Sequence, residues 1–446
     1  MYCLRLSDIR YIASNLLKQY VDNNFSDKNV IILGDLNDQL IDNHECDICV
    51  VGGGFSGLST AIEAAKKGLK VIVIEQNLFG WGASGRNGGQ IWNDVSWGID
   101  VIEKKYGIKL ARQIWDISQA SVDLIDDRIR EFGIECDKKN GGISAATSAA
   151  KLREYEENRE YKIKTYNYNN LELLDKNSVD KEIGSSLYYG GVLDKGAGHL
   201  HPIKYALGLV KAAEKLNVKL YERSVVTKIN QTSHAVEVLT DRGMVKAKKI
   251  AVCCNAYIKG LNLGIENRIM PCATYIVCTE PLSQNLQREI LPNDYCVSDT
   301  NFDLNYYRLS DSKRMIFGGA VGYSLKIVEG LKKRTKRQLN KVYPNLSELK
   351  IDYIWGGLIA LTMNRVPDIG MVNDKIYYAQ GFSGHGVALT GIAGKILAEN
   401  MVSEKTKELE AFEKIKHKNF PGGRLFRMPL LVTISSMQRM MDIFNV

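Results

Sequence analysis

Residues 47–57 read DICVVGGGFSG, and the fold is decided by what this stretch must do. An apolar run ends at Val51, three glycines follow, and from Phe55 the pattern becomes helical, with Leu58, Ala61, Ile62 and Ala65 on one face. A second apolar run, Leu69 to Glu75, completes a βαβ unit, and Gly68 between helix and strand is a natural stop. Gly52 suits the tight turn, Gly54 lets backbone approach a pyrophosphate, and Gly57 lets the helix pack close to the strand. The helix start at Phe55 and Ser56 then faces phosphate with roughly half a positive charge. Glu75, with Gln76 beside it, lies about twenty residues beyond the turn, where an acid accepts hydrogen bonds from ribose hydroxyls. It would repel a 2′-phosphate, so the site suits FAD or NAD rather than NADP.

Around this unit the chain has the composition of a globular protein of two or three domains: 446 residues, 45% apolar and 25% charged. The net charge of +8 is moderate. Its densest run, Lys332 to Arg337 (KKRTKR), lacks interleaved aromatics and reads as a solvated helix face, so no nucleic acid partner is expected. Nine cysteines show no disulfide framework and Cys253 adjoins Cys254, which points to a reducing, cytoplasmic setting. Cys46 and Cys49 form a CxxC, but strand alternation puts them on opposite faces, as buried strand residues. His199 and His201, in GAGHLHP, read as a loop entering a helix at Pro202, and no metal site is expected. The first 25 residues lack the apolar core of a signal peptide, and no apolar run has the roughly eighteen residues of a membrane span. The amphipathic stretch PLLVTISSMQRMMDIF reads as packing against its own domain.

Further pieces of a nucleotide-binding sheet appear late in the sequence. VKLYERSVVTKI, HAVEVLT and KKIAVCCNAY read as successive strands, and KIYYAQGFSGHGVALTG as a strand, a glycine turn and a helix beginning near His385. Leu110 to Phe132 reads as a long amphipathic helix ending at Gly133. Between Pro271 and Gly319 the pattern becomes antiparallel, YYRLS and KRMIFGG flanking a turn at Asp311 and Ser312. The expected architecture is α/β: a discontinuous Rossmann-like domain built from 46–125, 186–262 and 351–400, with a smaller α+β substrate domain on an antiparallel sheet from 126–185 and 263–350. Residues 1–45 read as an N-terminal arm, partly helical around Ile9 to Val21, and 401–446 as a C-terminal helical extension.

Taken together, DICVVGGGFSG, the loop GASGRNGGQ, the stretch WGGLIALTMNRVPDIG and the late GFSGHGVALTG resemble FAD-dependent oxidoreductases of the D-amino-acid oxidase and glycine oxidase type. The similarity runs from about Cys46 to Asp442. YYR with IFGG, and HKNFPGGRLFRMPLL, resemble members of that group acting on gamma-glutamylputrescine or similar acylated polyamines. The resemblance implies FAD, with Gly52, Gly54, Ser56 and Gly57 on the pyrophosphate, Glu75 on the adenosine ribose and Val226 offering backbone to adenine. Ala83, Ser84, Arg86, Asn87, Gly88 and Gly89 would line the path to the isoalloxazine, with Gly357 and the turn of Gly381, Ser383, Gly384, His385 and Gly386 nearby. Relatives that attach flavin covalently use a cysteine before the late glycine motif or a histidine after the first. Neither residue stands there in this chain, so the FAD is expected to be noncovalent and released by denaturation.

Only one dinucleotide fingerprint is present, so electrons are expected to enter from a small-molecule amine and leave to dioxygen or another acceptor. Oxidation gives an imine that hydrolyses to an aldehyde. The turn at 381–386 aims a helix start at the charge that the reduced ring gains. His385 is a candidate for flavin contact or proton movement; Tyr306 and Arg308 share a strand face, where Arg308 could pair with a substrate carboxylate. Trp355 and Tyr275 are candidate aromatic walls or core residues. Two other readings stand beside this one: oxidation of a small amino acid such as glycine, sarcosine or a D-amino acid, and a non-catalytic flavoprotein that binds RNA or a protein partner.

Overall fold

The computed structural model describes residues 37–301, 303–322, 329–402 and 405–421. The expected helix around Ile9 to Val21 and the stretch PLLVTISSMQRMMDIF lie outside them.

Strands are numbered in chain order and fall into two sheets. The first holds β1 (Asp42–Val51), β2 (Val71–Ile74), β7 (Lys219–Tyr221), β8 (Lys228–Gln231), β9 (Val236–Leu239), β10 (Gly243–Val252), β16 (Asp368–Met371) and β17 (Ile376–Gln380). The neighbours β17, β10, β1, β2 and β7 are parallel, with Cys49 of the central β1 opposite Ile250 on one side and Ile72 on the other. Parallel strands covered on both faces must be apolar throughout, which is why VIVI and CVV carry no polar alternation. Ile48, Val50, Val71 and Val73 join the core under three helices: α1 (Phe55–Lys66), α2 (Ile108–Phe132) and α4 (Gly386–Val402). Cys49, Val51, Ile72 and Ile74 pack on the opposite face with Val236 and Val238 of the β8–β9 hairpin. Helix α2 ends, as its sequence requires, at Gly133 with φ +65°. Helix α4 is buried nearly all round and lies on α1 so closely that a Cβ at Gly394 would come within 2.5 Å of Ser56 O.

Cys46 departs from the expected alternation. It packs in the same cluster as Cys49, although both are buried and free as anticipated. The register of β1 with β10 passes from Cys46↔Ala247 to Ile48↔Lys249 with Asp47 outside the ladder, so regular alternation is interrupted between the two cysteines. The strand also starts at Asp42, inside the expected arm. Ahead of it the fully buried Leu40 donates its N–H to Ser224 Oγ (2.8 Å), pinning the chain to the loop after β7.

The second sheet holds nine strands: β3 (Gln90–Ile91), β4 (Lys139–Ala146), β5 (Leu171–Leu174), β6 (Gly190–His199), β11 (Ile269–Pro281), β12 (Cys296–Asp299), β13 (Tyr306–Leu309), β14 (Arg314–Gly322) and β15 (Ile351–Thr362). Its pairs are antiparallel apart from β4 with β12. Three strands in ranges expected for the nucleotide part, β3 within 46–125, β6 within 186–262 and β15 within 351–400, hydrogen-bond within this second sheet. Helix α3 (Glu329–Val342) carries the basic run, with Lys332, Lys333 and Arg337 exposed while Leu331, Thr335 and Leu339 turn inward at helical spacing.

Candidate cofactor and active site

Strands β1, β10 and β17 end at one edge of the parallel sheet, and helices α1 and α4 start there. In an open α/β sheet this edge is where ligands bind. A cavity of about 310 Å³ occupies it, within the range of small-molecule sites.

The glycine turn is built by contact. Gly52 has φ +110°, and a Cβ there would lie 2.8 Å from Cys253 O. At Gly57 a Cβ would meet Gly52 O at 1.9 Å and Val50 Cγ1 at 3.2 Å, so the helix can sit on its strand only with glycine. Gly54 is the N-cap of α1, without a capping side chain, and the first turn holds no acid. That turn lines the cavity through Gly54, Phe55 and Ser56. An acid-free helix start whose N-cap residue brings no side chain suits an anion.

Glu75 and Gln76 line the same cavity. Glu75 Oε2 accepts the Gly53 N–H at 2.7 Å and Oε1 the Asn77 N–H at 2.8 Å, so this carboxylate also holds the glycine turn in shape. Burial raises its pKa, opposed by those backbone N–H groups. Beyond it Ser224, Val225 and Val226 form the far wall. Gly53 was not singled out in the sequence, yet a Cβ there would strike the Phe79 ring at 2.3 Å.

Phe79 is held by Glu222, 5% exposed, whose Oε1 accepts the Phe79 N–H at 2.7 Å. Burial pushes the Glu222 carboxyl up to about 7 from an ordinary 4.5; the Phe79 bond opposes this and Glu75 adds to it. A carboxyl raised on folding contributes stability that is complete below its unfolded value and is lost as pH rises through its folded one. The apoprotein is therefore expected to lose on the order of 3 kcal/mol between pH about 4.5 and above 7 from this group. Urea unfolding at pH 5 and pH 8 checks it: Glu222→Gln should shrink the difference, and an unchanged difference would remove Glu222 as its source.

The loop after β2 crosses towards the second sheet. Ala83, Ser84 and Asn87 line the cavity. Ser84 Oγ accepts the Phe55 N–H at 2.9 Å, tying the loop to α1. Asn87 Nδ2 donates to Ala83 O (3.0 Å) and Ser84 O (2.9 Å), while its Oδ1 accepts the Gly89 N–H at 2.7 Å. Arg86, Gly88 and Gly89 lie behind this wall rather than on it. Arg86 stacks on Trp81, 4.1 Å from the ring centre, and donates to Gly356 O; Gly357 gives it room. Gly89, at φ +88°, packs where a Cβ would be 2.0 Å from Leu200 O.

From β17 come Ser383, Gly384 and Gly386, which line the cavity where α4 begins. Gly381 sits behind them at φ +74°, its N–H donated to Asn255 Oδ1 at 2.9 Å. Ser383 is a non-glycine residue at φ +52°, held by its N–H to Ala360 O (3.0 Å) and by the Thr362 N–H to its Oγ (3.2 Å). Such strain persists only where the surroundings over-determine it.

The three candidate catalytic residues do not line this cavity. His385 lies behind the turn, its pKa lowered by burial and by Lys162, with Asp94 opposing, so it is neutral near pH 7. Tyr306 packs over Gly318. Arg308 is not available as a substrate carboxylate partner in the way its strand position suggested: Nε donates to Gly88 O (2.5 Å) and Nη1 to Leu309 O (3.0 Å), at 3% exposure. Trp355 and Tyr275 are core residues; Trp355 Nε1 donates to Arg86 O at 3.0 Å, and Tyr275 fills the space beside Gly356. His201 Nδ1 caps the helix at Pro202, as its loop reading implied, and His199 Nε2 lies 2.7 Å from Asp294 O.

Sequence reasoning missed Trp81, Tyr257, Cys253, Cys254, Asn255 and Phe382, all of which line the cavity. Trp81 and Tyr257 meet edge to face with centroids 5.5 Å apart. CCN directly follows the apolar run of β10, and recognising β10 as the parallel neighbour of β1 would have brought it to the same edge.

The residues present fit FAD. A phosphate-type helix start, a ribose-type carboxylate and a second helix start share one cleft. A family model for FAD dependent oxidoreductases (DAO) matches residues 47–400. The chain is 41% identical over 393 residues to gamma-glutamylputrescine oxidoreductase of Escherichia coli (strain K12), covering 88% of this chain and 92% of that protein. It is 40% identical over 385 residues to a probable oxidoreductase, OrdL, of Haemophilus influenzae, covering 85% of this chain and 88% of that one. Its fold is shared with glycine oxidase from Geobacillus kaustophilus, at TM-score 0.72 and 19% identity, covering 84% of this chain and 100% of that one. L-proline dehydrogenase from P. horikoshii follows at TM-score 0.69 and 23% identity, covering 83% and 96%. With this FAD-type cleft and these matches along most of its length, the chain belongs to the DAO family of FAD-dependent oxidoreductases, with noncovalent FAD as cofactor.

Proposed function

We propose that the protein oxidises the free primary amine of gamma-glutamylputrescine or a similar acylated polyamine. The observation that carries this reading is the 41% identity, sustained over 88% of the chain, to a protein named for that substrate. The neutral amine gives up a hydride from carbon and a second proton from nitrogen, two electrons and two protons in all, leaving an imine that water splits to an aldehyde and ammonia. FAD supplies the two-electron acceptor and passes the electrons to dioxygen, giving peroxide, or to another acceptor.

The chain's own residues bind and orient. Gly52, Gly54, Ser56 and Gly57 receive the pyrophosphate at the start of α1, Glu75 the adenosine ribose, and Val226 the adenine. The start of α4, at Ser383 to Gly386, offers donors to the ring. No protein base is required when the amine arrives neutral, and His385, itself neutral, leaves that requirement unchanged. The segments carrying the first sheet form the FAD part and those carrying the second form the substrate part. The free state of the eight described cysteines supports a cytoplasmic setting.

The test is anaerobic mixing of the purified holoenzyme with a panel of amines while following flavin absorbance. Gamma-glutamylputrescine should bleach it within the dead time of a manual assay, with glycine, sarcosine and D-alanine at least a hundredfold slower. Bleaching by the small amino acids alone would replace this reading with the small-substrate one; a flavin inert to every amine would sink both.

A further inference from the structure

Arg308 is a buried cation with no ion pair among the described residues. Its side chain is 3% exposed, and no carboxylate lies within 4.0 Å of it among the described residues. Elsewhere the chain obeys the usual rule: the equally buried Arg128 pairs with Glu63 at 3.1 Å, and Arg314 with Asp352 at 2.6 Å. The carboxylates that bear on Arg308 from beyond 4.0 Å, Asp294 and Asp137, are each paired with a lysine, Lys313 and Lys204, and the other groups around it are neutral. Cys296 and Cys278 stand beside it as thiols that burial keeps protonated. His199 and His201 flank it too, and burial together with the guanidinium itself holds both imidazoles neutral. Arg308 thus stands as a fixed positive charge behind the active-site wall, with no ion pair of its own among the described residues.

That charge is wired to the wall. Arg308 Nε donates to Gly88 O at 2.5 Å. The same peptide unit presents the Gly89 N–H, which donates to Asn87 Oδ1 at 2.7 Å, and Asn87 in turn holds Ala83 O and Ser84 O. Asn87, Ala83 and Ser84 line the cofactor cavity. Gly89 leaves the guanidinium its place, since a Cβ there would lie 3.1 Å from both Nε and Nη2. A relay of polarised hydrogen bonds thus runs from the buried cation to the cleft, and in a low-dielectric setting each bond strengthens the next.

We propose that Arg308 is an electrostatic positioning residue for the flavin. It fixes the Asn87–Gly89 wall through Gly88 and, as an unpaired buried charge, makes the bound cofactor easier to reduce. This rests on FAD occupying the cleft and is independent of which amine is oxidised. The reason is the sign of the charge. Two-electron reduction places negative charge on the ring system, which a fixed cation nearby stabilises over the neutral oxidised form. No other residue moves a proton or electron in this role.

Two readouts that do not use substrate test it: the two-electron reduction potential of the bound flavin, and its affinity for sulfite. Sulfite would add its sulfur lone pair to a nitrogen of the oxidised ring, forming a sulfur–nitrogen bond and breaking the ring's carbon–nitrogen π bond, whose electron pair leaves the negative charge on the ring. Arg308→Met should shift the reduction equilibrium at least tenfold towards oxidised flavin, about 30 mV, and raise the sulfite Kd at least tenfold. Arg308→Lys, which keeps the charge but not the planar fork, should hold both within about threefold of wild type. Equal losses in the Met and Lys variants would mean that shape rather than charge matters, and would overturn the proposal. So would a Met holoenzyme with wild-type values. Should the Met variant fail to retain flavin, Cys296→Asp leaves Arg308 in place and gives it a carboxylate. It should move both readouts in the same direction, and unchanged values there would overturn the proposal equally.

Discussion

Gly57→Ala is expected to purify as colourless apoprotein. The methyl group would sit 1.9 Å from Gly52 O, well inside any real contact, and 3.2 Å from Val50 Cγ1. Neither neighbour is the yielding end of a flexible side chain. Gly52 O belongs to a turn whose own N–H is bound to Ile74 O at 2.9 Å, and Val50 is fully buried in β1. Relief therefore comes from lifting the start of α1 off its strand, which turns its donors away from the phosphates. Overpacking of this kind costs about 3 kcal/mol, or about a hundredfold in FAD affinity. The measurement is the flavin-to-protein ratio on purification, followed by FAD titration of apoprotein. Gly330→Ala is the matched control: nothing lies within 4 Å of its Cβ site in α3, and alanine favours a helix by up to about 1 kcal/mol. It should bind FAD as wild type does. A Gly57→Ala protein with full flavin content would show that the helix start is not held by this contact.

What made Gly57 legible in the sequence is that its constraint is local. Strand, turn and helix start are consecutive, so one run of eleven residues carries the whole geometry, and Glu75 at the end of the next strand follows from the same unit. The late glycine turn was legible for the same reason, a strand leading straight into α4. The misjudged residues depend instead on what crosses from elsewhere. Parity along β13 correctly placed Tyr306 and Arg308 on one face, yet parity cannot say that the face is roofed by the Gly88–Gly89 peptide, 220 positions earlier in the chain. That β6 and β15 hydrogen-bond in the second sheet was hidden likewise, because nothing in a strand's own residues names its hydrogen-bond partner. Trp81 and Tyr257 met the same obstacle, since each is an ordinary aromatic until the ends of β2 and β10, on either side of β1, are brought to one edge.

Both sheets contribute to one electrostatic pattern. The cofactor cleft is framed by two helix starts without an acid in their first turns and by an arginine with no ion pair among the described residues, all positive, with Glu75 the acid that lines the cavity. The positive elements suit a dianionic pyrophosphate and a ring that becomes more negative on reduction. Glu75 stands apart from them at the end that must accept hydrogen bonds. An acid in the first turn of α1 or α4 would spoil that division, and neither helix has one.

Glu75→Gln is the substitution that tests this division most directly, and it is expected to weaken FAD binding about a hundredfold. The wild-type carboxylate accepts two backbone N–H groups, from Gly53 and Asn77. An amide has one acceptor oxygen, so its NH₂ must face one of those donors. Hydrogen bonds to a charged acceptor are worth about 1.5–3 kcal/mol, and the bond to Gly53 shapes the turn that receives the pyrophosphate. Loss of one such bond, with the ribose acceptor weakened as well, amounts to about 3 kcal/mol, or about two orders of magnitude. The pH dependence separates this from general damage. Burial raises the Glu75 carboxyl in the apoprotein, while ribose hydroxyls bind best to its ionised form. FAD binding must therefore release the proton, and wild-type affinity should fall as pH drops through the carboxyl's raised range. In Glu75→Gln that component is absent, because the amide does not titrate. FAD titrations of apoprotein at several pH values between 5 and 8 read both effects. A variant that binds a hundredfold weaker yet keeps the wild-type pH slope would assign the slope to another group, with Glu222 the first to examine.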